Sequence, residues 1–242
     1  MPATGIPPGV LVTRPEPGLS ETLAAVSAAG WRAYASPALC ITPTNLRALP
    51  PRFAACVLTS GQGVQAAQAA LPLTCPVYAV GDRTADRARA AGFGRVQSAQ
   101  GDAEALAALL VRTCTPADGP LLLLSGARQG LELAAHLRKA GFKVMRRVAY
   151  TARPVRQVTQ EVLSALQAGR ITHCLFFSSE SAAGWLSALP EAVRQKASRT
   201  TAIVISRKTA DVLSGAGWTH IVVARHPNAQ AMMDALGHPL LR

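Results

Sequence analysis

Short apolar runs alternate along the chain with longer stretches of helical periodicity. Val10–Thr13, Ala54–Leu58, Val77–Val80, Leu121–Leu124, Cys174–Phe177, Ala202–Ile205 and Ile221–Val223 read as strands. Their near-continuous apolar character suits strands covered on both faces of a parallel sheet. Helices are predicted over Leu19–Ala29, Val64–Ala70, Thr84–Ala91, Ala103–Val111, Leu131–Ala140, Val155–Ala168, Ala182–Leu189, Thr209–Ala216 and Ala229–Leu236. In one of them Leu131, Ala134, Ala135 and Arg138 recur at helical spacing, and Gly141 supplies the stop. Strands alternating with helices predict an α/β protein with largely parallel sheets.

The pattern also repeats. VLVTRPEPGLSETLAAVSAAGW is echoed by LLLLSGARQGLELAAHLRKAGF, ACVLTSGQGVQAAQAALP by HCLFFSSESAAGWLSALP, and VYAVGDRTADRARAAGFGRV by TAIVISRKTADVLSGAGWTHIV. The turn at Thr13 falls beside that at Ser125, the turn at Thr59 beside that at Ser178, and Thr84 aligns with Thr209, so three blocks recur in one order. Any two βα units look alike at a coarse level. The shared TAD at 84–86 and 209–211, each followed by a Gly-aromatic stop, favours duplication into two similar domains.

Composition narrows the partner. With 242 residues, 49% of them apolar, the chain can bury one large core or two smaller ones. The longest apolar runs are far too short to cross a membrane. The opening MPATGIPPG has neither a basic start nor a long apolar stretch, so it reads as a Pro-rich tail and not a secretory signal. Five scattered cysteines (40, 56, 75, 114, 174) contain no CxxC pair, which suits a reducing cytoplasm, and Cys56 and Cys174 read as packing residues. The net charge is +12, and 21 of the 25 basic residues are arginine. Arginine pairs two-pronged with carboxylates and phosphates, so the expected partner is anionic, although an arginine bias also decorates ordinary solvated faces. The basic residues are spread along the chain without interleaved aromatics, zinc-finger spacing or an RNA-binding motif, which disfavours nucleic acid.

Hydroxyl residues mark the candidate site. Thr13, Thr59, Ser60, Ser125, Ser178, Ser179 and Ser206 stand where predicted strands end and helices begin. Ligands of open parallel sheets bind outside those ends, and helix starts attract anions. Gly61, Gly63, Gly81 and Gly126 would let backbone approach a ligand. Any one of these hydroxyls is as well explained as a helix cap; five or six on one rim, in two domains, favour a ligand cleft.

Common reaction signatures are missing. GQG at 61–63 lacks the further glycine of a dinucleotide fingerprint, and no Walker lysine follows a glycine-rich loop. The histidines (136, 173, 220, 226, 238) have no metal-ligand spacing, and His173 reads as a core or strand-end residue. Asp82 reads as a cap of the Thr84 helix or a partner of Arg83. No Ser-His-Asp order is defensible, and neither metal nor cofactor is expected.

The motifs VLVTRPEP, LTSGQGV at 58–64, AVGDRTAD at 79–86, GDAEALAALL at 101–110, VAYTARP at 148–154, FFSSESAAGWL at 176–186 and ISRKTADVLSGAGW at 205–218 together resemble the uroporphyrinogen-III synthase family along nearly the whole length. The resemblance implies two similar three-layer, flavodoxin-like domains joined by a two-strand connector, Tyr34–Ile41 with Val144–Thr151. One domain would be residues 1–38 plus 152–242, the other 39–151, and such a connector would act as a hinge. It further implies a cytoplasmic, cofactor-free lyase acting on hydroxymethylbilane, a tetrapyrrole with eight carboxylates. Ring D is inverted and water is lost. A monomer is expected, with transient contact to the preceding pathway enzyme.

By the same resemblance Tyr150 matches a tyrosine that assists departure of the hydroxyl; the alternative is a packing role in the connector. Thr84 and Thr209 match family positions at helix starts. Thr59, Ser60, Ser178, Ser179 and Ser181 match loops that grip substrate carboxylates. Thr13, Arg14, Gly61, Gly63, Gly81, Arg83, Ser125, Gly126, Ser206, Arg207 and Lys208 complete the expected binding rim. Two positions depart from the family pattern: Ser206-Arg207 stands in place of Gly-Pro, and Glu180 in place of a proline, where it either points away or pairs with Arg207. Two other classes stay open on the residues alone, a non-catalytic anion-binding module and a regulatory DNA-binding protein.

Overall fold

The computed structural model describes residues 7–47, 49, 52–127 and 129–239. Most of the expected Pro-rich tail, residues 1–6, lies outside them. The chain divides into two compact units, Met1–Cys40 with Arg153–Arg242, and Ile41–Ala152.

The first unit is built on a five-stranded sheet. Its strands are β1 (Gly9–Val12), β2 (Arg32–Ala35), β9 (Ile171–Phe176), β10 (Thr201–Val204) and β11 (Ile221–Val223), in the order β11-β10-β9-β1-β2. All four pairings are parallel. The connections run through α1 (Gly18–Ala28), α6 (Gln160–Gln167), α7 (Ser179–Ala188), α8 (Glu191–Ala197), α9 (Arg207–Ser214) and α10 (Ala229–Leu236). Interior strand β1 is buried at every position. Val10, Val12, Leu175 and Ile203 form one face with Trp31, Met232 and Leu236. In this unit Phe176 packs edge-on against Trp185 and Trp218, and Trp185 donates its indole N–H to Ser36 Oγ at 2.9 Å. Without such a partner a buried indole N–H would carry an uncompensated desolvation cost.

The second unit carries β3 (Leu39–Pro43), β4 (Ala55–Leu58), β5 (Val77–Ala79), β6 (Val96–Ser98), β7 (Leu121–Gly126) and β8 (Val144–Pro154) in the order β3-β8-β7-β4-β5-β6. Its helices are α2 (Val64–Ala70), α3 (Asp82–Ala90), α4 (Ala103–Thr113) and α5 (Leu131–Lys139). The five strands β4 to β8 pair in parallel. Alternate residues of β4 feed two cores: Cys56 and Leu58 join Leu122, Leu124 and Val77 on one face. Ala55 and Val57 join Leu121, Leu123 and Leu106 on the other. A strand with both faces covered is apolar at every residue, which is why β4 and β7 were legible as unbroken runs.

Edge strand β3 completes this sheet. Thr44 N–H donates to Ala149 O at 2.8 Å, and Val155 N–H to Ala38 O at 3.0 Å; one index falls as the other rises, so β3 runs antiparallel to β8. The chain thus passes between the units along β3 and returns along β8. The expected connector is shifted: Tyr34 and Ala35 end β2 in the five-stranded sheet, and the partner of β8 starts only at Leu39. The helix expected over Val155–Ala168 begins at Gln160, because β8 runs to Pro154 and Thr159 remains extended as the cap.

The internal repeat maps onto the sheets strand by strand. β1 corresponds to β7, β9 to β4 and β10 to β5, which leaves β2 for β8 and β11 for β6. These substitutions turn β11-β10-β9-β1-β2 into β6-β5-β4-β7-β8, which is the second sheet without β3, read from its far edge. The two units share one strand arrangement and enter it at different strands. In each sheet the connections reverse direction once, between β1 and β9 in the first and between β7 and β4 in the second. At such a switch point the loops diverge and leave a crevice.

Candidate anion-binding rims at the carboxyl ends of the strands

In the first unit the switch point carries Thr13 and Arg14 after β1, and Phe177 and Ser178 after β9. Thr13 is fully buried and donates its hydroxyl to Leu175 O at 2.8 Å. Its side chain ties the two strands together, a structural use of a residue expected in the binding rim. Arg14 is half-buried. Its guanidinium lies 4.4 Å from the centre of the Phe177 ring, and Nη1 donates to Thr22 Oγ1 at 3.2 Å. A side chain on Gly18 would collide with that guanidinium. Ring, hydroxyl and bare glycine together hold a cation at the end of β1.

Around this point the hydroxyls pair within their own helix starts. Ser178 Oγ accepts from Ser181 N–H at 3.0 Å and donates to Ser181 Oγ at 3.0 Å. Ser206 Oγ accepts from Thr209 N–H at 3.4 Å and lies 3.1 Å from Thr209 Oγ1. Ser178 and Ser206 therefore act as helix caps, and Ser181 and Thr209, both buried, are their partners. Ser179, Arg207 and Lys208 occupy first turns, whose N–H groups have no carbonyl partner within the helix. Glu180 is exposed in the first turn of α7, where the helix dipole favours a carboxylate. Among the described residues it forms no ion pair with Arg207.

In the second unit the switch point lies between the Thr59–Gly63 turn and the loop after β7. Ser60 caps the turn, accepting from Gln62 N–H at 3.3 Å. Thr59 Oγ1 is buried without a hydrogen-bond partner. Gly61 faces Arg87 of α3, whose Nη1 would lie 2.5 Å from an added Cβ; its missing side chain admits an arginine of the protein itself. Gly63 is packed, with Leu58 Cδ2 at 3.3 Å from such an atom. Gly81, expected to admit a ligand, stands at the N-cap of α3, where an added Cβ would meet only Gly101 O, at 3.9 Å. Asp82 is the first residue of that helix and does not cap it; Arg83 beside it is exposed, and Thr84 is buried at the third helical position, as Thr209 is in α9.

Ser125 is fully buried and donates to Gln129 O at 2.9 Å, a structural use equivalent to that of Thr13. Gly126 is buried, and an added Cβ would come within 3.1 Å of both the Tyr150 ring and Gln129 Oε1. Tyr150 is only 4% exposed; its hydroxyl donates to Gln129 Oε1 at 2.8 Å. It therefore packs in the core and also reaches the rim with its polar tip. Gln129, Arg87 and Arg146 were not singled out in the sequence, and the tyrosine in VAYT gave no sign of its partner.

Elsewhere, burial pushes the Cys174 thiol up to about 12, partly offset by its hydrogen bond with Thr200. His173 sits within β9, edge-on to Trp31, and burial holds it below its ordinary value of 6.5. Among the described residues there is no group of three or more His, Cys, Asp or Glu that could hold a metal ion. No helix among them is long and apolar enough to cross a membrane.

The family model described as Uroporphyrinogen-III synthase HemD matches residues 20–234. The chain belongs to the uroporphyrinogen-III synthase family. The resemblance read from the ordered motifs is thereby established, and the family's activity is a cyclising lyase step of haem biosynthesis. The fold is similar to the crystal structure of uroporphyrinogen-III synthetase from Helicobacter pylori 26695 (TM-score 0.63, 18% identity, 95% of this chain and 98% of that one). It is also similar to a mutant uroporphyrinogen III synthase from the extremely thermophilic bacterium Thermus thermophilus (TM-score 0.51, 20% identity, 94% and 95%). No curated protein matches the sequence. At these identities the likeness speaks for the fold: α/β, with parallel sheets in two domains.

Proposed function

We propose that this chain cyclises hydroxymethylbilane to uroporphyrinogen III, inverting ring D with loss of water, and that the loops after β1, β4, β7, β9 and β10 bind the substrate carboxylates. The family match across residues 20–234 carries this reading. The substrate brings its own leaving group, so no cofactor is needed. Loss of the hydroxyl leaves an azafulvene cation; attack by the substituted carbon of ring D gives a spiro intermediate, which fragments and recloses. Without the enzyme the unsubstituted carbon attacks, so the protein's task is to fix which carbon reaches the cation first. Orientation and fixed dipoles suffice for that.

Tyr150 is assigned to the departing hydroxyl. A phenol is a feeble acid, adequate for an easy leaving step. Its place beside Gly126 at a switch point supports this. Arg14 is assigned to a substrate carboxylate, since its ring-backed guanidinium stands at the other switch point. Thr59 Oγ1, buried and unpartnered, gains a hydrogen bond if a carboxylate docks there. Ser60, Ser178, Ser179, Ser181, Ser206 and Thr209 are assigned to shaping the loops whose backbone N–H groups face the anion. We further read residues 1–38 with 152–242 and residues 39–151 as the two domains, and the protein as a cytoplasmic monomer without nucleic-acid or membrane partners. Incubation with freshly generated hydroxymethylbilane, followed by isomer separation, tests the activity. A yield of type I isomer alone, as in buffer, would remove it.

A further inference from the structure

The loop between β7 and α5 is held more tightly than its sequence requires. Arg146 of β8 reaches back over it with one guanidinium: Nε donates to Gln129 O at 2.9 Å, and Nη2 to Ala127 O at 2.6 Å and to Gly126 O at 3.2 Å. Ser125 Oγ adds a second donor to Gln129 O at 2.9 Å. Gly130 then turns the chain with φ 76°. The backbone of Gln129 is thus fixed from two sides, while its side chain is exposed and accepts the Tyr150 hydroxyl. A planar fork aims its donors in fixed directions at several carbonyls, whereas the donors of an ammonium rotate about a single point.

We propose that Gln129 is a positioning residue for Tyr150, and that Arg146 acts one step further out by holding the loop that carries Gln129. The proposal rests on the assignment of Tyr150 to the departing hydroxyl. Tyr150 lies buried in a core, so its ring alone does not bring its proton to solvent. Gln129 stands at the surface directly above the hydroxyl. Its amide oxygen keeps the phenolic O–H pointed at the rim, where an arriving substrate hydroxyl takes over as acceptor. Arg146 makes that orientation reproducible, because three carbonyls clamped by one group cannot drift independently.

The test is a double-mutant cycle with freshly generated hydroxymethylbilane, using Gln129→Leu, Tyr150→Phe, both together, and Arg146→Lys, each checked for unchanged thermal unfolding. Gln129→Leu is expected to lower kcat about fivefold, about 1 kcal/mol at 1.36 kcal/mol per tenfold, with KM within about twofold. In the Tyr150→Phe background the same change is expected to cost less than about twofold, because its route is already cut. Arg146→Lys is expected to fall between wild type and Gln129→Leu. A normal rate for Gln129→Leu while Tyr150→Phe is slow overturns the positioning role and leaves Tyr150 standing. Fully multiplied losses in the double variant overturn it too. A normal rate for Tyr150→Phe removes the assignment of Tyr150, and the role of Gln129 with it.

Discussion

The two units are the same sheet used in two ways. In the first, residue 14 at the end of β1 is an arginine laid over Phe177. In the second, the loop after β7 carries Gly126, and the bare position is filled by the ring of Tyr150 and the side chain of Gln129. Thr13 and Ser125, the residues just before, are fully buried in both and donate to main-chain carbonyls in both. The helix starts diverge in the same manner. Ser178 caps a continuous α7, whereas in the second unit Ser60 opens a short turn through Gly61 and Gly63. One unit offers a fixed cation, the other a protic group. A duplicated fold gains function where the equivalence breaks.

The largest effects test the shared frame. Trp185→Ala in the first unit and Leu123→Ala in the second each remove a fully buried side chain and should cost about 2–5 kcal/mol in denaturant unfolding. A loss below about 1 kcal/mol in either would break the claim that both sheets are covered on both faces. Next comes the cation. Arg14→Ala should raise KM about tenfold and leave kcat within about twofold, the mark of lost ground-state binding. Tyr150→Phe should show the opposite split, a fall in kcat of about fivefold without total inactivation, because positioning carries most of the catalysis. Were the two variants to move the same kinetic constant, the division of labour between the units would be gone.

The smallest effect concerns pH. His173 of the first unit is held below 6.5 by burial, so the unfolded chain binds the proton more readily than the folded one. Stability contributed by the neutral ring is present above pH 6.5 and is lost as pH falls from there through the folded value. His173→Gln should flatten that acid limb in thermal denaturation. An unchanged pH slope would show that another group sets it.

The amino-acid sequence on its own determined the central strands, most helices, the repeat and the family. β1, β4, β7, β9 and β10 were legible because a strand buried on both faces must be apolar throughout. β2, β3 and β6 were missed as local signals because each has at most one fully buried residue, and an edge tolerates polar positions. Which hydroxyls could meet a solute was not legible: Thr13, Ser125 and Thr209 carry the same side-chain chemistry as Thr59, and only packing decides that three are spent on carbonyls or caps. Tertiary structure alone revealed that the second unit enters the common sheet at a different strand, and that Gln129 meets Tyr150 across 21 residues of chain. Periodicity records what each residue buries, whereas a contact between distant residues exists only once the sheet has set their register.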